Sequence, residues 1–341
     1  MQKLATAATA MATAMATAMA TAAIMASAAH AGDTDPPANT TTTATTNTAP
    51  AADPVAAAKK DFDFVLAGGY AHFFATDFDT GGGDVAVDRV FSSISIGRAE
   101  SETYRWDISL TSEGAYYSFG TSGSLAAAAG GRPWHNVGSM VLSPGATFQL
   151  DQRWRLITRV LLQEAGEDEA SFSDSLTYGG VLAATYSFSR EFTLGAGVLA
   201  VSQLEDDALV VPQIIIDWRP SKEFRLSNFA GPEAFPGGAG LEAIWEISES
   251  YEAAIGARYT YRRFRLDDTG SAARAGGVGY DTGLPMWLRV TARGKSGWRA
   301  DLVGGLQLMG EMRLYDASGH ELDAVDVQPA PFIGVFFSYR F

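Results

Sequence analysis

The chain has 341 residues, a formal net charge of −14 and no cysteine. The excess of carboxylates argues against a nucleic-acid partner, because phosphate backbones bind basic surfaces. Without cysteine the chain has neither a disulfide framework nor a thiolate metal site. Its mean hydropathy of +0.01 gives no signal for spanning helices, but it is compatible with strands in which apolar and polar residues alternate.

Residues 1–60 differ in composition from the rest of the chain. Residues 1–31 contain Lys3, a mildly apolar Ala/Thr/Met run and the ending Ala29-His30-Ala31, which predicts an export signal peptide with its cleavage site. Residues 32–60 are rich in Thr, Ala, Pro and Asn and have almost no large apolar side chain. Such a segment cannot offset its ordering entropy, so we expect a disordered periplasmic linker.

Residues 61–341 show no further break in composition and are interpreted as one domain. In 104–111, for example, apolar residues hold the even positions and polar residues the odd ones. This period of two is typical of β-strands with one apolar face. We predict strands at about 62–74, 87–97, 102–118, 136–150, 153–163, 174–188, 191–203, 208–218, 222–229, 238–247, 250–265, 277–293, 297–314 and 329–341.

The connections between these strands alternate in length. Tight turns such as 151–152 and 189–190 alternate with longer connections such as 119–135 and 266–276. Transmembrane β-barrels have short periplasmic turns, longer external loops and an even number of strands, whereas a soluble sandwich needs no such alternation. The sequence therefore predicts an all-β fold, a single antiparallel transmembrane β-barrel of about fourteen strands. Twelve is the alternative, if 222–229 or the first hairpin is miscounted.

The last strand carries a resemblance to a known class. Phe341, Tyr339, Phe337, Val335 and Ile333 form one apolar face that ends on the final residue. This ending resembles the C-terminal signature of bacterial outer-membrane β-barrels, in which the terminal Phe and the aromatic third from the end are read by the barrel-assembly machinery. Phe341 and Tyr339 match those two positions.

A second stretch, GAGLEAIWEISESYEAAIGARYTYRRFRLDD at 238–268, resembles an uncharacterised family of outer-membrane β-barrel proteins. The two resemblances imply a porin-like architecture and a location in the cell outer membrane, with membrane lipid and the assembly machinery as partners. They bring no catalytic or ligand-binding residues.

Charged residues on the polar faces are expected to point into the barrel. The candidate lumen residues are Arg155, Arg159, Arg258, Arg262, Arg289, Arg293, Arg299, Glu242 and Glu246, and the last long strand adds Glu311 and Arg313. In a narrow lumen these charges would neutralise one another as an ion-paired filling, whereas unpaired arginines in a wider lumen would favour anions. The first hypothesis is a restricted, charge-lined pore for passive passage of small solutes. The alternative is a filled structural or surface-interaction barrel without transport.

Catalysis is not expected. His72, His135 and His320 are the histidines beyond the signal peptide, and none adjoins a Ser/Asp pattern. No Cys/His spacing suggests a metal site, and the glycines form no phosphate loop, so no cofactor is predicted. The acidic residues of the longer connections are interpreted as solvated loops, and the alternative is bridging by divalent cations.

Overall fold

The computed structural model describes residues 62–120, 123–228, 240–269 and 271–341. The expected signal peptide 1–31 and linker 32–60 lie outside the described residues. The strands are β1 (Asp63–Asp77), β2 (Asp84–Ala99), β3 (Tyr104–Phe119), β4 (Asn136–Gln149), β5 (Trp154–Glu167), β6 (Leu176–Ser187), β7 (Phe192–Gln203), β8 (Asp206–Trp218), β9 (Phe224–Ser227), β10 (Gly240–Glu246), β11 (Tyr251–Arg258), β12 (Thr260–Arg265), β13 (Val278–Arg293), β14 (Trp298–Tyr315), β15 (Glu321–Val327) and β16 (Ala330–Arg340). A short helix, α1 (Ser124–Ala128), and a single 3-10 turn at Ser173–Ser175 complete the described elements. No helix among them is long and apolar enough to cross a bilayer.

The strands form one closed antiparallel wall. Each strand from β1 to β11 pairs with the next, β11 and β12 both pair with β13, and β15 and β16 both pair with β14. The wall closes where β16 pairs with β1, with Tyr70 opposite Val335. If β11 and β12 are counted as one wall strand, and β15 and β16 as another, the wall has fourteen strands. The predicted fold and strand number are confirmed, and the alternative of twelve is not.

The two ends of the barrel differ. Short turns such as 150–153 and 188–191 lie at one end, together with Phe62 and Phe341, and this end is called the turn end. The opposite end carries the longer connections, including 120–135 and 266–277, and is called the loop end.

The outward face of the wall is apolar between two aromatic levels. On β1, Leu66, Tyr70 and Phe74 are exposed, while Ala71 and Phe73 between them are buried inside. Aromatic rings contact one another around the turn end, for example Trp154 with Tyr186 and Phe224 with Trp245. At about 3.3 Å per residue and a tilt of roughly 40°, the ten steps from Phe64 to Phe74 rise about 25 Å, the height of a bilayer's apolar core.

A bulge in β14 changes the expected assignment of faces. The β13–β14 register shifts between Thr282 and Leu284, opposite Met309, whose φ is +51°. Beyond Met309, the side chains of Met312 and Leu314 are buried in the interior, whereas Glu311 and Arg313 pair with each other on the other face. The prediction that Glu311 and Arg313 point inward is therefore wrong, because one extra residue in a strand inverts the alternation that follows it.

We predict that Met309→Gly costs less folding stability than Met140→Gly. Both methionines are exposed on strands, so both variants lose a similar side chain. Only Met309 has left-handed backbone geometry, and glycine relieves about 1–2 kcal/mol of strain there. Urea unfolding of the two refolded barrels in lipid measures the difference. Equal losses would show that Met309 is not strained.

Candidate functional site

The lumen contains an ion-pair network on the inner faces of β10, β11, β13 and β14. Arg289 is at its centre: its Nη1 lies 2.6 Å from Glu252 Oε1 and its Nη2 lies 2.8 Å from Glu242 Oε2. Asp301 Oδ1 is 3.2 Å from the same guanidinium, and the Trp287 indole N–H donates to Glu242 over 2.8 Å. One arginine therefore holds carboxylates from three other strands against the wall.

The remaining expected residues of this sector extend the network. Arg299 Nη2 is 3.2 Å from Glu252 Oε1, and its Nε is 3.0 Å from Asp301 Oδ2. Arg293 lies 3.1 Å from Glu252 and 3.7 Å from Glu246. Because these cations share carboxylates with Arg289, the sector presents ion pairs to the lumen and not a row of unpaired arginines.

A second network, nearer the loop end, connects opposite parts of the wall. Glu113 Oε1 accepts hydrogen bonds from Arg89 over 2.6 Å and from Arg262 over 2.8 Å. Arg89 also donates to Asp281 over 2.5 Å, and the Tyr117 hydroxyl donates to the same carboxylate over 2.7 Å. Two guanidinium groups thus face two carboxylates, so this network is neutral.

Sequence reasoning placed Arg262 in the lumen but did not select Arg89, Glu113 or Asp281. A signal existed for two of them, because the period of two that directs Arg105 and Asp107 inward also directs Glu113 inward along β3. The same count along β2 places Arg89 inside, where its exposed fraction is 1%.

The other expected arginines also lie against the wall. Arg159 Nη2 donates to Asp107 over 2.6 Å and its Nη1 to the Ser143 carbonyl over 3.0 Å. It lies flat over Gly145, where an added Cβ would be 2.9 Å from the guanidinium carbon. Arg155 Nε donates to Gln149 over 3.2 Å, and Arg258 is buried.

These contacts do not support a lumen lined by unpaired arginine. The expected residues do project inward, but carboxylates neutralise most of their charge. Ion pairing of this kind removes the excess positive potential on which anion selection depends.

One sector of the lumen has a different character. On β6 and β7 its inward side chains are uncharged, and on β5 and β8 apolar side chains are interspersed with polar ones such as Arg159 and Gln213. The apolar side chains that are half-buried are reached by the interior space. The apolar strip is defined here as Ile157, Leu161, Val181, Leu199, Val211 and Ile215. Its members are neighbours across the ladder, since Val181 pairs with Leu199 and Leu199 pairs with Val211.

The loop end is closed, among the described residues, by a cluster of apolar side chains over the lumen. Trp134, in the connection after α1, is fully buried and its ring packs edge-on against Tyr117 and Phe264. Leu125 of α1 and Leu266 after β12 are buried in the same cluster.

A clasp of charged loop residues lies above this cluster. Arg274 donates to Glu167 over 2.7 Å and to Asp267 over 3.0 Å, and the Asp267 backbone N–H donates to Glu167 over 2.9 Å. Burial opposes ionisation of Asp267, but the Arg274 guanidinium and hydrogen bonds from Arg274 and Thr269 outweigh it and hold the pKa of Asp267 below its ordinary value. The clasp ties the 266–277 connection to the end of β5.

The histidines are dispersed over the barrel. His72 is on the outward face of β1 and its Nδ1 lies 2.7 Å from Asp88. His135 contacts Arg132, and His320 contacts Ser318 within the β14–β15 turn. Within the described ranges, no three His, Asp or Glu side chains are grouped to hold a metal ion.

The residues of the expected assembly signal lie where the wall closes. The Phe341 backbone N–H donates to the Phe64 carbonyl over 3.0 Å. Its ring contacts Phe64 and Tyr339, with centroid distances of 5.2 and 4.6 Å. The terminal residue therefore belongs to the aromatic level at the turn end.

Comparison with known proteins gives similarity of architecture only. No family model and no curated protein matches the chain. An outer-membrane channel from Pseudomonas putida F1 is similar, with a TM-score of 0.47, 10% identity, and coverage of 85% of this chain and 100% of that one. A Pseudomonas aeruginosa FadL homologue is similar with a TM-score of 0.45 and 9% identity, over 82% of this chain and 90% of that one. The Pseudomonas putida toluene transporter TodX is similar with a TM-score of 0.40 and 11% identity, over 82% of this chain and 89% of that one. At these TM-scores the similarities assign no function.

The chain's own architecture gives its location. The wall closes between β16 and β1, so hydrogen-bonded pairing runs around the barrel, and an apolar surface between aromatic levels surrounds it. Short turns and the chain's C-terminus share one end, as in barrels whose turns face the periplasm. The protein is an outer-membrane β-barrel.

We predict that the clasp weakens in acid. A carboxylate whose pKa is depressed by folding contributes stability above its unfolded pKa and loses it as the pH falls through the folded value. Hydrogen-exchange protection of 266–277, corrected for intrinsic rates, should be constant from neutral pH to about 3.9 and fall below it. Asp267→Asn should lower protection at neutral pH and flatten this dependence. Protection that increases in acid would contradict the assignment.

Proposed function

We propose that the protein is a passive outer-membrane channel for small uncharged solutes, which move along the apolar strip. The observation that carries this proposal is the asymmetry of the lumen. Most of the charged side chains, on β2, β3 and β10 to β14, are engaged with one another, while the inward faces of β6 and β7 carry no charged residue. On β5, Arg159 is held by Asp107 at the edge of the apolar strip. A solute with a full charge would meet apolar groups on one side and already paired ions on the other.

Transport by this route involves the wall alone and no covalent chemistry. An uncharged solute loses less hydration energy than an ion beside Val181 and Leu199, where an ion would need polar partners. The proposed role is therefore transport and not catalysis. The proposed partners are membrane lipid around the apolar belt and, during assembly, the barrel-assembly machinery at Tyr339 and Phe341.

A filled structural barrel is the second candidate, and the cluster around Trp134 favours it. Trp134, Leu125 and Phe264 cover the lumen at the loop end and are almost completely buried. A structural role predicts a barrel that folds normally yet passes neither ions nor uncharged solutes. The two candidates therefore differ in a direct permeation measurement.

We predict that liposomes containing the refolded barrel swell in arabinose faster than in equimolar sodium gluconate. In a KCl gradient, the reversal potential should show no strong preference for anions, because the lumen arginines are paired. Arabinose swelling that equals that of empty liposomes would contradict the channel, and strong anion selectivity would contradict the neutral lumen.

Leu199→Trp should slow arabinose entry because the larger ring fills space beside Val181 and Val211. Leu199→Met is the matched control and should keep the wild-type rate, since it conserves volume and apolar character. Heat-modifiable mobility in electrophoresis checks that both variants are folded. Equal rates for the two variants would show that solutes do not pass along the apolar strip.

A further inference from the structure

One segment of the wall leans across the barrel at the loop end. β12 continues β11 beyond Tyr259 and pairs with β13. Its last residue, Arg265, is also bridged in parallel to Gly166 of β5. The wall strands β6 to β10 lie between β5 and β11 in the sheet order. A contact between β12 and β5 therefore requires β12 to reach over the lumen toward the opposite side.

Outward side chains of β12 fasten it to the β7–β8 turn. Arg263 Nε donates to the Leu204 carbonyl over 2.7 Å, and its Nη1 lies 3.1 Å from Asp206. Arg265 Nη2 lies 2.7 Å from Glu205. These contacts attach one side of β12 to the sector that carries the apolar strip.

Arg262, on the inward side of β12, reaches across the rest of the lumen to the opposite wall. Its Nε lies 2.8 Å from Glu113 Oε1 on β3. On the shorter way around the wall, five wall strands separate β3 from β12, namely β2, β1, β15 with β16, β14 and β13. The Arg262–Glu113 contact therefore crosses the lumen and is called the chord. Arg289, in contrast, pairs with residues of nearby strands along the wall.

Glu113 has a second cation on the neighbouring strand. Arg89 Nη1 lies 2.6 Å from the same carboxylate, and Arg89 is held in turn by Asp281. Removing a partner from a buried ion pair is costly chiefly when it leaves a charge unpaired. Here Glu113 stays paired with Arg89 if Arg262 departs, and Arg89 and Tyr117 still bond to Asp281 of β13. Loss of Arg262 therefore removes one contact across the lumen without leaving a buried carboxylate unpaired.

We propose that the Arg262–Glu113 contact is the constriction that limits passage at the loop end, and that Arg262 is the residue that determines the size of solute admitted. This proposal rests on the channel function proposed above. Arg262 lies two residues before Phe264, whose ring packs on Trp134, so the contact also fixes the strand that carries the closing cluster. Release of Arg262 opens this contact, while Arg263, Arg265 and the pairing with β13 keep the strand in place.

The test compares Arg262→Met with Arg299→Met in the full mature protein. Both variants remove one lumen arginine, and the two side chains are similarly exposed, at 18% and 19%. In Arg262→Met, Glu113 keeps Arg89 as its partner. In Arg299→Met, Glu252 and Asp301 keep Arg289. Arg299 follows the wall, so its loss controls for the change in charge. Single-channel conductance in planar bilayers and liposome swelling with uncharged sugars of increasing size are the measurements.

The expected result is a higher conductance and a larger size limit for Arg262→Met than for wild type, with Arg299→Met unchanged. A wild type that is silent while Arg262→Met conducts overturns the channel function of the native protein, and the Arg262–Glu113 contact then belongs to a filled barrel. A conducting wild type that Arg262→Met leaves unchanged, or that both variants change alike, overturns the proposal but leaves the channel function standing. Silence from all three proteins, each shown to be folded by heat-modifiable mobility, overturns the channel function as well.

Discussion

The constraint on which this structure depends is that lipid offers no hydrogen bonds to a polypeptide backbone. The chain satisfies it with a wall that closes where β16 pairs with β1, so that in the described part of the chain each wall strand pairs on both sides, β8 with β9 through Asp217 and Trp218. Closure then dictates the side chains: alternate residues face lipid and must be apolar, and those between them face an enclosed interior. The aromatic contacts at Phe64, Tyr339 and Phe341 lie where closure meets the membrane surface.

Enclosure has a second consequence, for the charges that the inward faces carry. A charge in a confined interior is stable only when it is paired and hydrogen-bonded. Arg289 and Arg89 each meet carboxylates from other strands; the Arg289 network follows one side of the lumen, and the Arg89 network crosses it nearer the loop end. Space is left beside the apolar strip on β5 to β8. The division into an ionic side and an apolar side therefore follows from how the charges are neutralised.

The strands of the wall were predictable from the sequence, because the alternation of apolar and polar residues is a local property that each folded strand keeps. The sequence failed at Glu311 and Arg313, where the bulge at Met309 inverts the faces and no residue type marks the extra position. It also found arginines such as Arg262 without finding their partners, since Glu113 is distant in the chain and the two meet only after closure. Whether an inward charge is paired depends on which strands face each other across the lumen, and alternation does not encode that.

The central claim is that the lumen is open beside the apolar strip and filled on the opposite side. Cysteine accessibility tests it directly, because the native chain has no cysteine. Val181→Cys and Leu199→Cys should react with a small membrane-impermeant thiol reagent in the folded barrel. Thr291→Cys and Val303→Cys, at positions that are almost fully buried, should be protected until unfolding. Equal protection at all four positions would contradict the account and establish a filled barrel.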